Sequence, residues 1–169
     1  MRAQGDQAPL TVRTTDRAEG EVFDRFFRGY DAAFVLPDEK EDRDGLAACL
    51  SLNHGSCHAE LARRYGPFRE LCLVADDEAR ELVGGANFIA MPAPDDPGIV
   101  TANLNYIYVA PASRGRGNLR RLVGVVFDAV GSLFEKELGP LRPLVFIEQN
   151  DPYRMSAEEY ERDTRFTGT

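Results

Sequence analysis

Apolar residues share helical faces in the first third of the chain, and the middle third changes to short, dense apolar runs. Between Ala18 and Tyr30, Val22, Phe23, Phe26 and Phe27 fall on one side of a 3.6-residue period, which predicts an amphipathic helix. A short strand is expected before it, at Leu10 to Arg13, and Asp31 to Pro37 connects to a second helical stretch at about Glu41 to Leu52. A third helix, about Ser56 to Tyr65, is closed by Gly66-Pro67. Leu71 to Ala75 then reads as a buried strand, Asp76-Asp77 as a turn, and Glu81 to Met91 as a longer strand holding Gly84-Gly85; together they predict a hairpin.

Pro92 to Gly98 is a loop by composition. Ile99 to Val109 is the expected central strand, and simple alternation puts Leu104, Tyr106 and Tyr108 on one face and Asn105, Ile107 and Val109 on the other. A long helix follows from Asn118 to Leu138, burying Leu119, Leu122, Val123, Val126, Phe127 and Val130 before Gly139-Pro140 stops it. Leu144 to Glu148 makes the next strand, and Ser156, with Glu159 three residues on, caps a helix to about Arg162. The chain has no internal repeat and no low-complexity tract.

Composition narrows the class. A length of 169 residues suits one domain over 1–169, and 43% apolar residues are enough to fill its core. No apolar run approaches the roughly 20 residues of a membrane span. Met1 to Leu10 holds no apolar signal segment, and Cys49, Cys57 and Cys72 are an odd number without a staple pattern, so a reducing cytoplasm is expected. The net charge of −8, with acids concentrated between Asp16 and Asp44, argues against a nucleic-acid groove. Those acids either solvate the surface or suit a cationic acceptor such as an amine.

The dense basic cluster is Arg114, Arg116, Arg120 and Arg121, and it sits between the central strand and the long helix. Strand, Pro111, a Gly- and Arg-rich turn and a helix start make an anion site: glycines take positive φ and admit close approach, and free amides converge with the helix dipole. A nucleoside-triphosphate loop needs Lys after the last glycine, and none follows Gly117. A dinucleotide loop needs a third small residue where Arg120 stands. The remaining option is an acyl-coenzyme A loop. The stretch resembles the GNAT superfamily of N-acetyltransferases, whose signature, Gln/Arg-x-x-Gly-x-Gly/Ala, is met here by Arg114, Gly115, Arg116, Gly117, Asn118 and Leu119; Leu119 departs from the usual Gly or Ala.

That resemblance implies an α/β (α+β) fold with a mixed, mostly antiparallel sheet flanked by helices. It also implies acetyl-CoA as co-substrate and direct attack of an amine on the thioester. The pyrophosphate would be held by the amides of Gly115 to Leu119 and by Arg114 and Arg116, and the pantetheine arm by the main chain of Ile107, Tyr108 and Val109. By the same resemblance Asn150 contacts the cofactor arm, and Tyr153 (with Tyr160 as rival) protonates the leaving thiolate. Glu148 is the candidate base, with Asn103, Asn105 and Tyr106 as alternatives that position water or acceptor. Family members usually continue with two further strands. Their absence before Thr169 leaves three explanations: an abbreviated domain, a truncated one, or a second copy that supplies the edge as a homodimer.

His54, Cys57 and His58 are close in sequence but lack a second cluster to complete a zinc set, so no metal is expected. Two other readings stand beside the enzyme: a GNAT-fold module that binds acyl-CoA or a protein without turnover, and a dinucleotide enzyme, which the hairpin disfavours.

Overall fold

Five segments that extend and three long helical faces combine into one sheet with helices on both sides. The structure, a computed structural model, describes residues 8–34, 40–148 and 153–161. In chain order the elements are β1 (Thr11–Thr15), α1 (Glu21–Ala33), α2 (Arg43–Ser51), α3 (Gly55–Tyr65), β2 (Arg69–Asp76), β3 (Leu82–Pro92), β4 (Ile99–Val109), α4 (Asn118–Ser132), α5 (Glu135–Leu138) and β5 (Arg142–Ile147). The sheet order is β1-β2-β3-β4-β5. The first four strands form an antiparallel meander, and β5 joins β4 in parallel after the α4 crossover. Residues 157–161 form a helical turn, with the reciprocal Ser156 and Glu159 bonds of a capping box. Among the described residues no helix is long and apolar enough to cross a membrane.

Two apolar layers result. On one face Leu71, Leu73, Phe88, Val100, Ala102 and Leu104 pack against Leu122, Val126 and Val130 of α4. On the other, Cys72, Val74 and Tyr108 pack against Phe23, Phe26 and Tyr30 of α1 and Leu46 and Leu50 of α2. Tyr108 Oη donates to Phe26 O at 2.9 Å, and Glu41 N donates to Tyr30 Oη at 2.7 Å, so the buried hydroxyls are satisfied.

Several expectations change. The predicted long helix ends at Ser132, because Phe134 turns its ring into the core (3% exposed) and the chain restarts as α5. Its buried stripe is Leu122, Val126 and Val130 at i, i+4, i+8, which leaves Leu119 and Phe127 exposed rather than buried. Asp76 is not a turn residue: it ends β2 buried, receiving Arg13 Nη2 at 2.9 Å and Arg25 Nη2 at 2.8 Å.

The largest correction lies in β4. Asn87 opposes Tyr106 but Phe88 opposes Leu104, so Asn105 is an extra residue, a β-bulge. One inserted residue reverses the alternation. Leu104 therefore faces α4 while Tyr106 and Tyr108 face α1, and Ile107 and Val109 pack on the α4 side.

Candidate functional site

The end of β4 is tied down by contacts that only glycine permits. Gly84 opposes Val109, and a Cβ there would lie 2.2 Å from Tyr108 O and 2.6 Å from Leu122 Cδ1. Ala110 N donates to Val83 O at 2.9 Å, and a 3₁₀ turn over Pro111–Ser113 carries the chain off the sheet. Gly115 and Gly117 have φ of 74° and 73°, so the backbone folds back before α4. Gly117 precedes α4 without a side-chain cap, so the first amides of the helix lack intrahelical acceptors. A Cβ at Gly115 or Gly117 would meet nothing within 4 Å, so the concave side of the turn is open.

Around this turn the predicted residues divide. The Asn118 side chain is a brace: it is 7% exposed, Nδ2 donates to Ser113 O at 2.9 Å, and Oδ1 accepts from Arg121 Nη1 at 2.9 Å. Arg114 reaches back over the strand end, donating from Nε to Val109 O at 3.4 Å and from Nη2 to Ala33 O at 3.3 Å. Arg116, Gly115, Gly117 and Leu119 are exposed at the turn. Leu119, the departure from the signature, points outward at 53% exposure and leaves the helix start uncrowded.

The second feature is a gap in the sheet. β4 and β5 pair from Ile99↔Arg142 to Leu104↔Ile147 and no further. Beyond Leu104 and the bulge, residues 105–109 have no partner from β5 among the described residues. Main-chain groups alternate along an antiparallel pair, and Tyr108 O lies against Gly84 of β3, so Ile107 and Val109 turn theirs toward the gap, which runs directly into the glycine turn. Tyr108, expected to share in this edge, does not: its carbonyl faces β3 and its ring is buried on the α1 side.

The predicted chemical residues are not gathered at one point. Glu148 is exposed just past β5, Tyr153 is 98% exposed and Tyr160 is 52% exposed; Asn150 lies outside the described residues. A polar row lies on the α1 side of the sheet, running from buried Glu70 and Asn87 to exposed Asn105 and Asn103; sequence reasoning named the two exposed asparagines and missed the buried pair. Glu70 of β2 is 2% exposed and accepts at Oε1 from Asn87 Nδ2 at 2.7 Å and from Asn105 Nδ2 at 3.3 Å. Asn105 Nδ2 also donates to Asn87 Oδ1 at 2.9 Å, and Asn103 Nδ2 donates to Asn105 Oδ1 at 2.6 Å. Burial pushes the Glu70 carboxyl above the ordinary range, and the two amide donors partly offset that. The available signal was a lone Glu at the start of an apolar run, diagonal to an Asn in the paired hairpin strand.

Two other features carry no such arrangement. His54 Nε2 lies 2.9 Å from Asp16 O, and the His58 ring stacks on Phe68 at 5.0 Å; among the described residues no group of three or more metal-binding side chains converges. A cleft of about 580 Å³ between β1 and the β2–β3 turn is lined by Arg13, Arg25, Glu21 and Asp76, which pair with one another, and by no residue of the turn or gap.

No family model matches the chain, and no curated protein is similar enough to count as a relative. Solved structures do resemble it. An aminoglycoside acetyltransferase, meta-AAC0020, from an uncultured soil metagenomic sample, in complex with sisomicin, is 18% identical over 95% of this chain and 88% of that one, with a TM-score of 0.50. A GNAT family acetyltransferase of Staphylococcus aureus is 9% identical over 88% of this chain and 92% of that one, also at 0.50. At such identities the likeness is one of fold.

Proposed function

We infer that this chain, which has the fold of the GNAT acetyltransferases, is an acyl-CoA-dependent N-acyltransferase acting on an amine. The observation that carries this reading is the end of β4, paired with β3 but, among the described residues, not with β5, leading into the glycine turn at the start of α4. The donor set fits the group: an extended amide arm matches a strand edge, and a pyrophosphate matches free helix amides beside Arg114 and Arg116. When bound, acetyl-CoA supplies an activated acyl thioester.

The amides of Gly115 to Leu119 would hold the pyrophosphate. The main chain of Ile107 and Val109 would pair with the arm, with Arg114 releasing Val109 O in exchange. Direct transfer to the amine, without an acyl-enzyme, accords with Cys72, which is fully buried and whose thiol burial pushes far up, leaving it a poor nucleophile. Tyr153 as acid and Glu148 as base remain proposals; both are exposed, and Glu148 directly follows β5.

Calorimetric titration with acetyl-CoA tests the reading, with Gly117→Trp as control. Micromolar binding lost in the variant supports it, and no binding by the parent protein refutes it. A binding module without turnover is the second reading, favoured by the exposure of Tyr153; acetyl-CoA binding with no amine-dependent release of thiol would select it.

A further inference from the structure

The polar row on the sheet has a direction. An ionised carboxylate only accepts, so Glu70 compels Asn87 and Asn105 to turn their Nδ2 groups inward. Asn105 Oδ1 must then point outward, and it takes Asn103 Nδ2 at 2.6 Å. Each amide along the row donates toward Glu70, so its outer end is an acceptor, Asn103 Oδ1, on an exposed residue. No hydrogen bond to that oxygen occurs among the described residues. A terminus of this polarity receives an N–H donor.

The register gives this oxygen its surroundings. Glu70, Ile89, Asn103 and Phe146 form one line across β2 to β5, and Met91, Thr101 and Leu144 the next. Val145 packs on the α4 side, so Leu144 and Phe146 point to the opposite face with Asn103. They are 46% and 54% exposed, and Ile89 and Met91 beside them belong to neither core layer. Apart from the asparagines and Thr101, whose hydroxyl donates to Met91 O, the paired residues of this face are apolar, and the Glu70 carboxyl lies buried beneath the asparagines. It begins where β5 parts from β4, beside the gap assigned above to the acyl donor.

We propose that Asn103, oriented through Asn105 and Asn87 by Glu70, receives the amine of the acceptor, whose apolar body lies on Ile89, Met91, Leu144 and Phe146. The acceptor class is therefore a single primary amine on an aliphatic or aromatic body, not a polyamine. Asn103 touches substrate; Glu70 is a positioning residue. This inference rests on the acyltransferase reading and deepens it.

The test measures amine-dependent thiol release from acetyl-CoA with 2-phenylethylamine, spermidine and an aminoglycoside, for the full chain and for Asn103→Ala and Phe146→Ala. Both substitutions are at exposed positions, and calorimetry with acetyl-CoA and thermal unfolding accompany each. The expected result is kcat/KM for phenylethylamine at least about tenfold above the polycations, reflecting roughly one lost hydrogen bond or unfavourable desolvation. Asn103→Ala and Phe146→Ala should each raise its KM about tenfold, with kcat and acetyl-CoA affinity little changed. Glu70→Leu removes the acceptor at the root of the row and should raise KM in the same way, whereas Glu70→Gln, whose amide oxygen can accept both asparagine donors, should keep most of the parent KM.

Preference for spermidine or the aminoglycoside overturns the proposal, as does an unchanged KM in Asn103→Ala with acetyl-CoA still bound. A parent protein that is dimeric by light scattering, becomes monomeric on Phe146→Ala and keeps its KM assigns the face to a second copy, which also overturns it. Failure to bind acetyl-CoA at all is a different result, and refutes the acyltransferase reading itself.

Discussion

Replacing Glu70 by Gln changes how the protein's stability depends on pH, and the sign follows from burial. The Glu70 carboxyl is 2% exposed and its folded-state pKa is raised above the ordinary carboxylate value, with desolvation the larger influence and the amides of Asn87 and Asn105 opposing it. In the unfolded chain the same group ionises near its ordinary value. Between the two pKa values the folded protein binds more protons, so stability is fully present below the unfolded pKa and falls as pH rises through the folded one. Each pKa unit of elevation corresponds to about 1.4 kcal/mol. Gln keeps the volume, and its amide oxygen accepts both asparagine donors; at pH 4 the variant should lie within about 1 kcal/mol of the parent. From pH 4 to pH 8 the parent should then lose stability relative to the variant and level off once Glu70 is ionised. Urea denaturation at half-unit pH steps, extrapolated to water, measures the difference. A difference that stays flat, or that moves in the parent's favour with rising pH, would refute the reasoning, because the amides would then outweigh burial.

Other perturbations separate crowding, backbone conformation and charge. Gly84→Ala puts a methyl 2.2 Å from a backbone oxygen, which cannot move without parting β3 from β4; urea denaturation should show a loss of about 3 kcal/mol or more. Gly117→Ala meets nothing but must adopt φ of 73°, so about 1–2 kcal/mol of stability should be lost by backbone strain alone. Gly124→Ala, inside α4 and also open, should gain about 0.5–1 kcal/mol in the same assay. Asp76→Asn leaves Arg13 and Arg25 without a buried carboxylate; because both arginines are partly exposed, a loss of about 2 kcal/mol in denaturant titration is expected, below the value for a sealed pair.

The element order and the glycine turn were legible because they depend on local chemistry. Periodicity located α1 to α3, the β2–β3 hairpin and β4 to within a few residues, and Gly115 and Gly117 announced positive φ. The capping box at Ser156 and Glu159 formed as read. What escaped was set by tertiary register. Alternation along β4 has no local marker for an inserted residue, so the faces of Leu104 and Tyr106 were misjudged. Phe127 and Leu119 have helical spacing, but only the sheet's curvature decides that the buried stripe is Leu122, Val126 and Val130. Glu70 lies one residue outside the strand predicted from Leu71, and only its pairing with Ile89 and the bulge in β4 bring Asn87 and Asn105 within hydrogen-bonding distance of it.

That bulge ties the fold to the site. One added residue on β4 moves Tyr106 and Tyr108 to the α1 side, where Tyr30 stacks edge-on against both, with ring centroids 4.9 Å and 6.5 Å away. The same residue stands where β5 pairing stops among the described residues, at the start of the main-chain edge over residues 105–109. Its own side chain is the middle of the polar row, between Asn103 and Asn87. A bulge leaves its extra residue unpaired in the ladder, which costs stability unless other bonds compensate. Here the compensation comes from Glu70, Asn87 and the aromatic stack. The edge that would receive an acyl donor and the row that would receive an amine therefore share one structural cause, and they lie on either side of a single residue, Asn105.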